Sequence, residues 1–226
     1  MVKTVGIVQA RLSSTRLPGK VMKDLCGKTL IQRVIERIQL SVELDEIWIA
    51  TSDRAEDDLL EYQARSMGVY CFRGSLDNVL ERYHQTAEKA EADIVVRVTA
   101  DNPLTEPRFI DQGVKLLTKS DLDYVRFESI PVGSGSEVIT KRALSIAYKE
   151  AILPYDQEHV TPYIIQNSSF KMKKIKPNDR LFQRPDISVT VDTLEQYVQM
   201  YHLFNKIGPE NVTLERAIEY LSTENK

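Results

Sequence analysis

The stretch Gln9-Ala10-Arg11-Leu12-Ser13-Ser14-Thr15-Arg16-Leu17-Pro18-Gly19-Lys20, directly after the apolar run Val5-Gly6-Ile7-Val8, decides how the chain is read. The run is short and β-branched, which suits a buried strand better than a helix. The chain must turn after it, because Ser, Thr, Pro and Gly crowd together there. Arg11, Arg16 and Lys20 therefore leave a strand end on a loop, where guanidinium forks and backbone N–H groups can converge on phosphate oxygens. From the residues alone the loop is either such a polyphosphate clamp or a solvated surface turn. It is not a Walker A loop, since GxxxxGK[ST] would need Gly at position 14 and Ser or Thr at 21, where Ser14 and Val21 stand.

Outward from the clamp the pattern alternates. Leu30, Ile31, Val34, Ile35 and Ile38 recur at three- and four-residue steps and predict a helix over 29–39. Residues 46–51 read as a buried strand, 56–67 as a helix, 69–72 as a strand and 77–89 as a helix. Asp93 to Thr99 is the clearest strand, followed by a helix over 107–119, a strand over 124–127 and a helix over 141–150. Such a rhythm predicts an α/β fold with a mostly parallel, Rossmann-like sheet covered by helices on both faces. Between about 129 and 184 Pro and Gly accumulate, which predicts a small elaboration in the C-terminal half. Its basic run, Lys171 to Lys176, suits an exposed edge strand blunted by lysines. The rhythm resumes with a strand over 187–191 and helices over 194–206 and 214–221. Tyr197, Met200, Tyr201 and Phe204 form a stripe that reads as core packing.

With 226 residues, 42% of them hydrophobic, the chain is predicted to form one domain over 1–226. A net charge of −3 offers no general basic field, so no nucleic-acid partner is expected and any anion site must be local. Cys26 and Cys71 lie far apart without metal-ligand spacing and read as inert thiols. No stretch is long and apolar enough for a membrane span, and a cytoplasmic protein is expected.

Two predicted strands end alike, in Val98-Thr99-Ala100-Asp101 and Val189-Thr190-Val191-Asp192. Strand carboxyl ends line the crevice of open α/β sheets, so both acids could face the clamp and hold Mg²⁺ together with phosphate oxygens. Alternatively each aspartate caps the helix after it.

The clamp resembles the N-terminal signature [IV]-[PQ]-A-R-x-x-S-x-R-L-P-G-K of the sugar-acid cytidylyltransferases, the family of CMP-KDO synthetases and acylneuraminate cytidylyltransferases. Its Gln9 form is most similar to the spore-coat polysaccharide branch. The resemblance runs in order from Val5 to Glu195 and is thinnest between about Tyr163 and Ile187. It implies a sheet of the nucleotide-diphospho-sugar transferase type, a homodimer, and transfer of CMP from CTP to a sugar acid with release of pyrophosphate, for surface or spore-coat polysaccharide. It implies nucleotide binding by Gln9, Ala10, Arg11, Ser14, Arg16 and Lys20, with Arg11, Lys20 and Asp101 catalytic and Mg²⁺ on Asp101 and Asp192. Asp101-Asn102-Pro103 sits where the family has its G-D-x-P-like aspartate, and Val191-Asp192-Thr193-Leu194-Glu195 is similar to its late [IV]-D-T-x-E-D segment.

Arg73-Gly74-Ser75-Leu76-Asp77-Asn78-Val79-Leu80-Glu81-Arg82-Tyr83 is similar to R-G-x-x-x-D-V-L-x-R-[FY] of the spore-coat branch, which implies Gly74 and Asp77 near base and ribose. Asp77 could equally cap the next helix. Similarity to G-x-x-E-V and E-H-V-T-x-[YF] implies sugar contacts from Glu137, Glu158 and His159, the last either a proton carrier or a hydrogen-bonded structural histidine. The chain departs from the V-Q-G-D of CMP-KDO synthetases, having Val98-Thr99-Ala100-Asp101, so cytidine is implied by kinship rather than by a base-reading side chain. A nucleotidyltransferase for another base or sugar, a non-catalytic nucleotide-binding protein, and a glycosyltransferase using Asp121-Leu122-Asp123 remain alternatives.

Overall fold

A computed structural model describes residues 2–224. The clamp's parent strand, β1 (Thr4–Gln9), is an interior strand of the sheet, flanked by a parallel neighbour on each side. The chain then runs through α1 (Leu30–Ile38), β2 (Glu46–Ser52), α2 (Asp58–Ser66), β3 (Tyr70–Gly74), α3 (Val79–Lys89), β4 (Ile94–Thr99), α4 (Pro107–Thr118), β5 (Tyr124–Phe127) and β6 (Glu137–Thr140). It continues with α5 (Lys141–Glu150), α6 (Pro154–His159), α7 (Pro162–Gln166), β7 (Met172–Ile175), α8 (Leu194–Ile207) and α9 (Leu214–Glu224). Strand order is β3-β2-β1-β4-β6-β5-β7, parallel except for β6, which opposes both of its neighbours. The order reverses between β1 and β4, and ligands of open α/β sheets bind beyond the carboxyl ends of strands at such a switch.

Alternating side chains serve the two layers. Val5 and Ile7 of β1 pack with Tyr83 and Ala87 of α3 and with Ala143, Leu144 and Ala147 of α5. Val8, the residue after Ile7, faces Ile31, Val34 and Ile35 of α1, Leu60 of α2 and Ile110 and Val114 of α4. Local chemistry sets the helix starts: the Thr29 hydroxyl accepts from the Gln32 N–H while the Gln32 side chain accepts from the Thr29 N–H, a reciprocal cap. A third core joins Leu17 and Leu25 of the clamp region to Met200, Leu203 and Phe204 of α8 and to Leu214, Ala217 and Ile218 of α9. The aromatic stripe of α8 is thus core-facing at Phe204, although Tyr201 is exposed. The basic run forms edge strand β7, with Lys173 and Lys174 exposed. No helix among the described residues is long and apolar enough to cross a membrane.

Two expectations are corrected. Residues 187–191 do not form a sheet strand. The flanks of β1 are taken by β2 and β4 and the free flank of β4 by β6, so the segment is held by a single bridge, with Val132 N–H donating to the Ile187 carbonyl and Val189 N–H to the Val132 carbonyl, each at 2.8 Å. Its alternation points Ile187, Val189 and Val191 into the third core instead. The second correction is β6, which lies within the breaker-rich stretch yet enters the main sheet. Four residues carry too little periodicity to announce a strand.

Gly133 is the pivot of this arrangement. Its φ is +88°, and a Cβ there would stand 2.8 Å from the Thr190 nitrogen and 2.9 Å from Asn102 Oδ1. Gly19 has φ +64° but nothing within 4 Å of such a Cβ. Gly133→Ala is therefore expected to cost about 3 kcal/mol of unfolding free energy, and Gly19→Ala only about 1–2 kcal/mol. Urea titration measures both, and equal losses would show that crowding at Gly133 adds nothing.

Candidate active site

The clamp loop is tied down before it presents its cations. Asp57, fully buried beyond β2, accepts from the Leu12 N–H at 2.8 Å and from the Ser52 hydroxyl. The Leu12 carbonyl accepts from Ser14 N–H at 2.8 Å and Gly19 N–H at 3.0 Å, closing the turn. Gly19 then enters a one-turn 3-10 helix, Lys20–Met22, from the left-handed region that L residues disfavour. Lys20 is thereby turned inward and buried.

The Lys20 ammonium donates to Asp101 Oδ2 at 2.8 Å and to Asp192 Oδ1 at 2.7 Å, and Arg16 Nη2 donates to the same Asp192 oxygen at 2.9 Å. The two acids do face the clamp. Neither acts as a cap: α8 is capped by Thr193, with Gln196 accepting from the Asp192 N–H at 2.7 Å, and α4 is capped by Glu106. Val191 N–H donates to the Asp101 carbonyl at 2.9 Å, which brings the second acid alongside the first without a sheet strand. Two hard oxygens thus converge on one cationic atom, a donor pair that suits Mg²⁺ when phosphate and water supply the other oxygens. Among the described residues no group of three or more His, Cys, Asp or Glu side chains could hold a metal by itself.

Around this cluster lies a cavity of about 310 Å³, lined by Gln9, Ala10, Arg11, Ser14, Arg16, Lys20, Asp101, Asp192, Glu158 and His159 among others. Arg11 is nearly unengaged, its closest carboxylate being Glu158 at 3.9 Å. Two further lining residues, Arg82 and Arg97, were passed over by motif reading. Arg82 is 1% exposed, donates Nη1 to the Ser75 and Leu76 carbonyls, leaves Nε unpartnered and forms no ion pair among the described residues. Burial lowers its pKa, the mark of a desolvated cation without a counter-ion. The signal for it was the Arg82-Tyr83 ending of the Arg73 segment.

Arg97 sits where this cavity meets a second one of about 530 Å³, which shares Arg97, Thr99 and His159 with the first. Its Nη1 donates to Glu137 Oε2 at 2.6 Å and its Nη2 to Gln9 Oε1 at 3.2 Å, over the Tyr83 ring. Glu137 also accepts from the Tyr124 hydroxyl and from Thr161 Oγ1 at 3.0 Å, so its carboxylate is occupied in fixing Arg97. Burial raises the pKa of both the Tyr83 and Tyr124 hydroxyls, keeping them neutral donors. His159 stacks obliquely on Tyr155, ring centroids 4.5 Å apart, and its imidazole makes no hydrogen bond among the described residues. Next to it Val160 has φ +71°, a strained value for a β-branched residue.

Gly74 and Asp77 are not brought to the clamp. They line a separate surface hollow with Asp53, Arg54 and Glu81, and Asn78 rather than Asp77 caps α3, accepting from Glu81 N–H at 2.9 Å. Asp121 and Asp123 line neither cavity: Asp121 pairs with Lys171 and Asp123 with Arg142. Burial pushes the Cys71 thiol up to about 11 and raises that of Cys26, in keeping with inert thiols.

A family model described as cytidylyltransferase matches residues 5–225. An uncharacterised protein of Methanocaldococcus jannaschii is 38% identical over 220 residues, covering 97% of this chain and 90% of that protein. The spore coat polysaccharide biosynthesis protein SpsF of Bacillus subtilis is 33% identical over 207 residues, covering 89% and 86%. The solved structure of a cytidylyltransferase from Leptospira borgpetersenii superposes with a TM-score of 0.90 at 26% identity, over all of this chain and 95% of that one. The Gln9–Lys20 signature, the sheet that carries it and the match along nearly the whole chain agree: this protein belongs to the cytidylyltransferase family.

Proposed function

We propose that this protein transfers CMP from CTP to a sugar acid and releases pyrophosphate, in the assembly of a surface polysaccharide. The observation that carries the reading is Lys20 held between Asp101 and Asp192, with Arg11 and Arg16 beside it at the carboxyl end of β1. Similarity to SpsF supports the polysaccharide context. The signature shared with the sugar-acid enzymes supports the acceptor.

In the reaction an acceptor hydroxyl attacks the α-phosphorus, the bond to the bridging oxygen of the β-phosphate breaks, and pyrophosphate leaves. Little covalent chemistry falls to the protein, whose work is to position the reactants and stabilise charge. Arg11, Arg16 and Lys20 bind the β- and γ-phosphates and neutralise the departing pyrophosphate. The backbone N–H groups of Ser13 and Thr15 add neutral donors. Asp101 and Asp192 are the residues that would hold Mg²⁺, which when bound supplies Lewis-acid polarisation of a phosphoryl oxygen. Arg97 walls the seam between the two cavities, where attacking oxygen and α-phosphate must meet. His159 borders both cavities with its imidazole nitrogens free of hydrogen bonds to described residues, placed to take the hydroxyl proton.

Pyrophosphate release with Mg²⁺ should require CTP over UTP, GTP and ATP, together with one member of a panel of KDO, N-acetylneuraminic, legionaminic and pseudaminic acids. Asp101→Asn should lower kcat by about 10²–10³-fold, as loss of a single electrostatic contact to the transition state does. Release with another nucleotide would overturn the base assignment, and full activity of Asp101→Asn would overturn its role.

Arg82→Met should weaken CTP binding about tenfold or more, the loss of one charge-assisted contact, while circular dichroism shows the fold retained. Calorimetric titration measures this, and unchanged affinity would make Arg82 a purely structural support of the 75–76 carbonyls.

A further inference from the structure

Four side chains stand in one row across the sheet. Arg97 of β4 faces Glu137 of β6, Glu137 faces Arg126 of β5, and Arg126 faces Lys174 of β7. Residues directly opposite across a ladder share a face, so the row reads plus, minus, plus, plus. Its one carboxylate is committed, because Glu137 takes Arg97 at 2.6 Å together with the Tyr124 and Thr161 hydroxyls. Lys174 is exposed and solvated by water. Arg126 has neither remedy. It is half-buried, its Nε is enclosed without a partner, and it makes no side-chain hydrogen bond or ion pair with any described residue.

Its guanidinium lines the second cavity, the one that adjoins the clamp at Arg97 and His159. A partly desolvated cation without a counter-ion is costly unless something supplies the missing charge. Water explains Lys174 but not an enclosed Arg126 Nε. Glu128, on the same cavity wall, lies beyond ion-pair distance of every described cation, so it does not neutralise Arg126 and offers an acceptor for hydroxyl groups. With Arg97 already neutralised, the cavity has one unpaired positive charge on its wall, and the Glu128 carboxylate opposes a dianion there.

We propose that Arg126 is the specificity-determining residue of the acceptor cavity, its guanidinium fork pairing with the carboxylate of a polyhydroxylated acid. The inference rests on the cytidylyltransferase reading above and adds the group that selects an acid over a neutral sugar or a sugar phosphate. Arg presents two parallel donors to a planar carboxylate, which Lys cannot reproduce.

The test separates binding from turnover. Calorimetry first measures CTP binding to wild type, Arg126→Gln and Arg126→Lys. The same proteins, loaded with a CTP analogue that cannot release pyrophosphate, are then titrated with each acid of the panel, its primary amide and a sugar phosphate. The expected result is equal CTP affinity in all three proteins and wild-type preference for one acid over its amide by about 10²-fold. Arg126→Gln loses that preference by binding the acid about as weakly as the amide, and Arg126→Lys recovers part of it. Preference retained in Arg126→Gln overturns the assignment while leaving nucleotidyl transfer standing. Tighter binding of the sugar phosphate or the amide by wild type overturns the acid class. Absence of CTP binding in wild type overturns the reading on which the proposal rests.

Discussion

Lys20 between Asp101 and Asp192 is the contact on which the site is built. It joins three segments remote in sequence: the clamp after β1, the end of β4 and the segment before α8. An ammonium this buried is tolerable only when its charge is met, and meeting it fixes where both carboxylates point. Several features exist to hold that geometry. Asp57 anchors the loop that delivers Lys20, Gly19 gives it the required backbone turn, and the pairing of Val191 with the Asp101 carbonyl sets the spacing of the acids. Buried ion pairs are weak sources of stability, since desolvation offsets most of the Coulomb gain. Their value here is position: the cluster keeps two hard oxygens aimed at one point, where a cation bound with a triphosphate would find them.

Charge is sorted between the two cavities. Lys20, Arg16 and Arg97 are met by carboxylates, whereas Arg11, Arg82 and Arg126 are not met within ordinary ion-pair reach of about 3 Å. All six line one or other cavity of a chain whose net charge is −3. A protein with an acidic surplus that leaves cations unpaired in its clefts gives up self-neutralisation where anions are to bind. Arg11 and Arg82 lie on the clamp side and Arg126 on the far side, so the unpaired cations are divided between the two cavities, and the far one also carries a carboxylate, Glu128, without an ion pair among the described residues.

The legible part of this protein was the local part. The strand, the turn and the cations of β1 and the clamp lie within one continuous stretch, and their reading needs no partner. The capping box at Thr29 and the rhythm up to α5 are likewise set by neighbours in sequence. Asp101 and Asp192 were placed correctly by an argument that was half wrong, since residues 187–191 are not in the sheet; a single bridge to Val132 and the bond to the Asp101 carbonyl do the work expected of a ladder. Arg82 and Arg126 escaped because their meaning is an absence of counter-charge, which depends on which carboxylates other strands bring near. Gly74 and Asp77, assigned to base and ribose by motif likeness, lie at and just after the end of β3, which is separated from β4 by β2 and β1, and line a hollow apart from the clamp.

The reversed strand β6 explains why a second cavity exists beside the first. With β5 parallel to β4 and β6 opposed to both, Arg126 near the end of β5 and Glu137 at the start of β6 lie at the same edge of the sheet as Asp101. The connection between them, 128–136, must therefore arch over the ligand end. Gly133 lets that arch pack against Asn102 and Thr190 without a clash. A parallel strand in the place of β6 would have started at the opposite edge, carried its first carboxylate away from Arg97, and left the seam open. Four residues that no periodicity announced thus give the second cavity its wall and the half-buried carboxylate that fixes Arg97 and, being committed there, leaves Arg126 without a partner among the described residues.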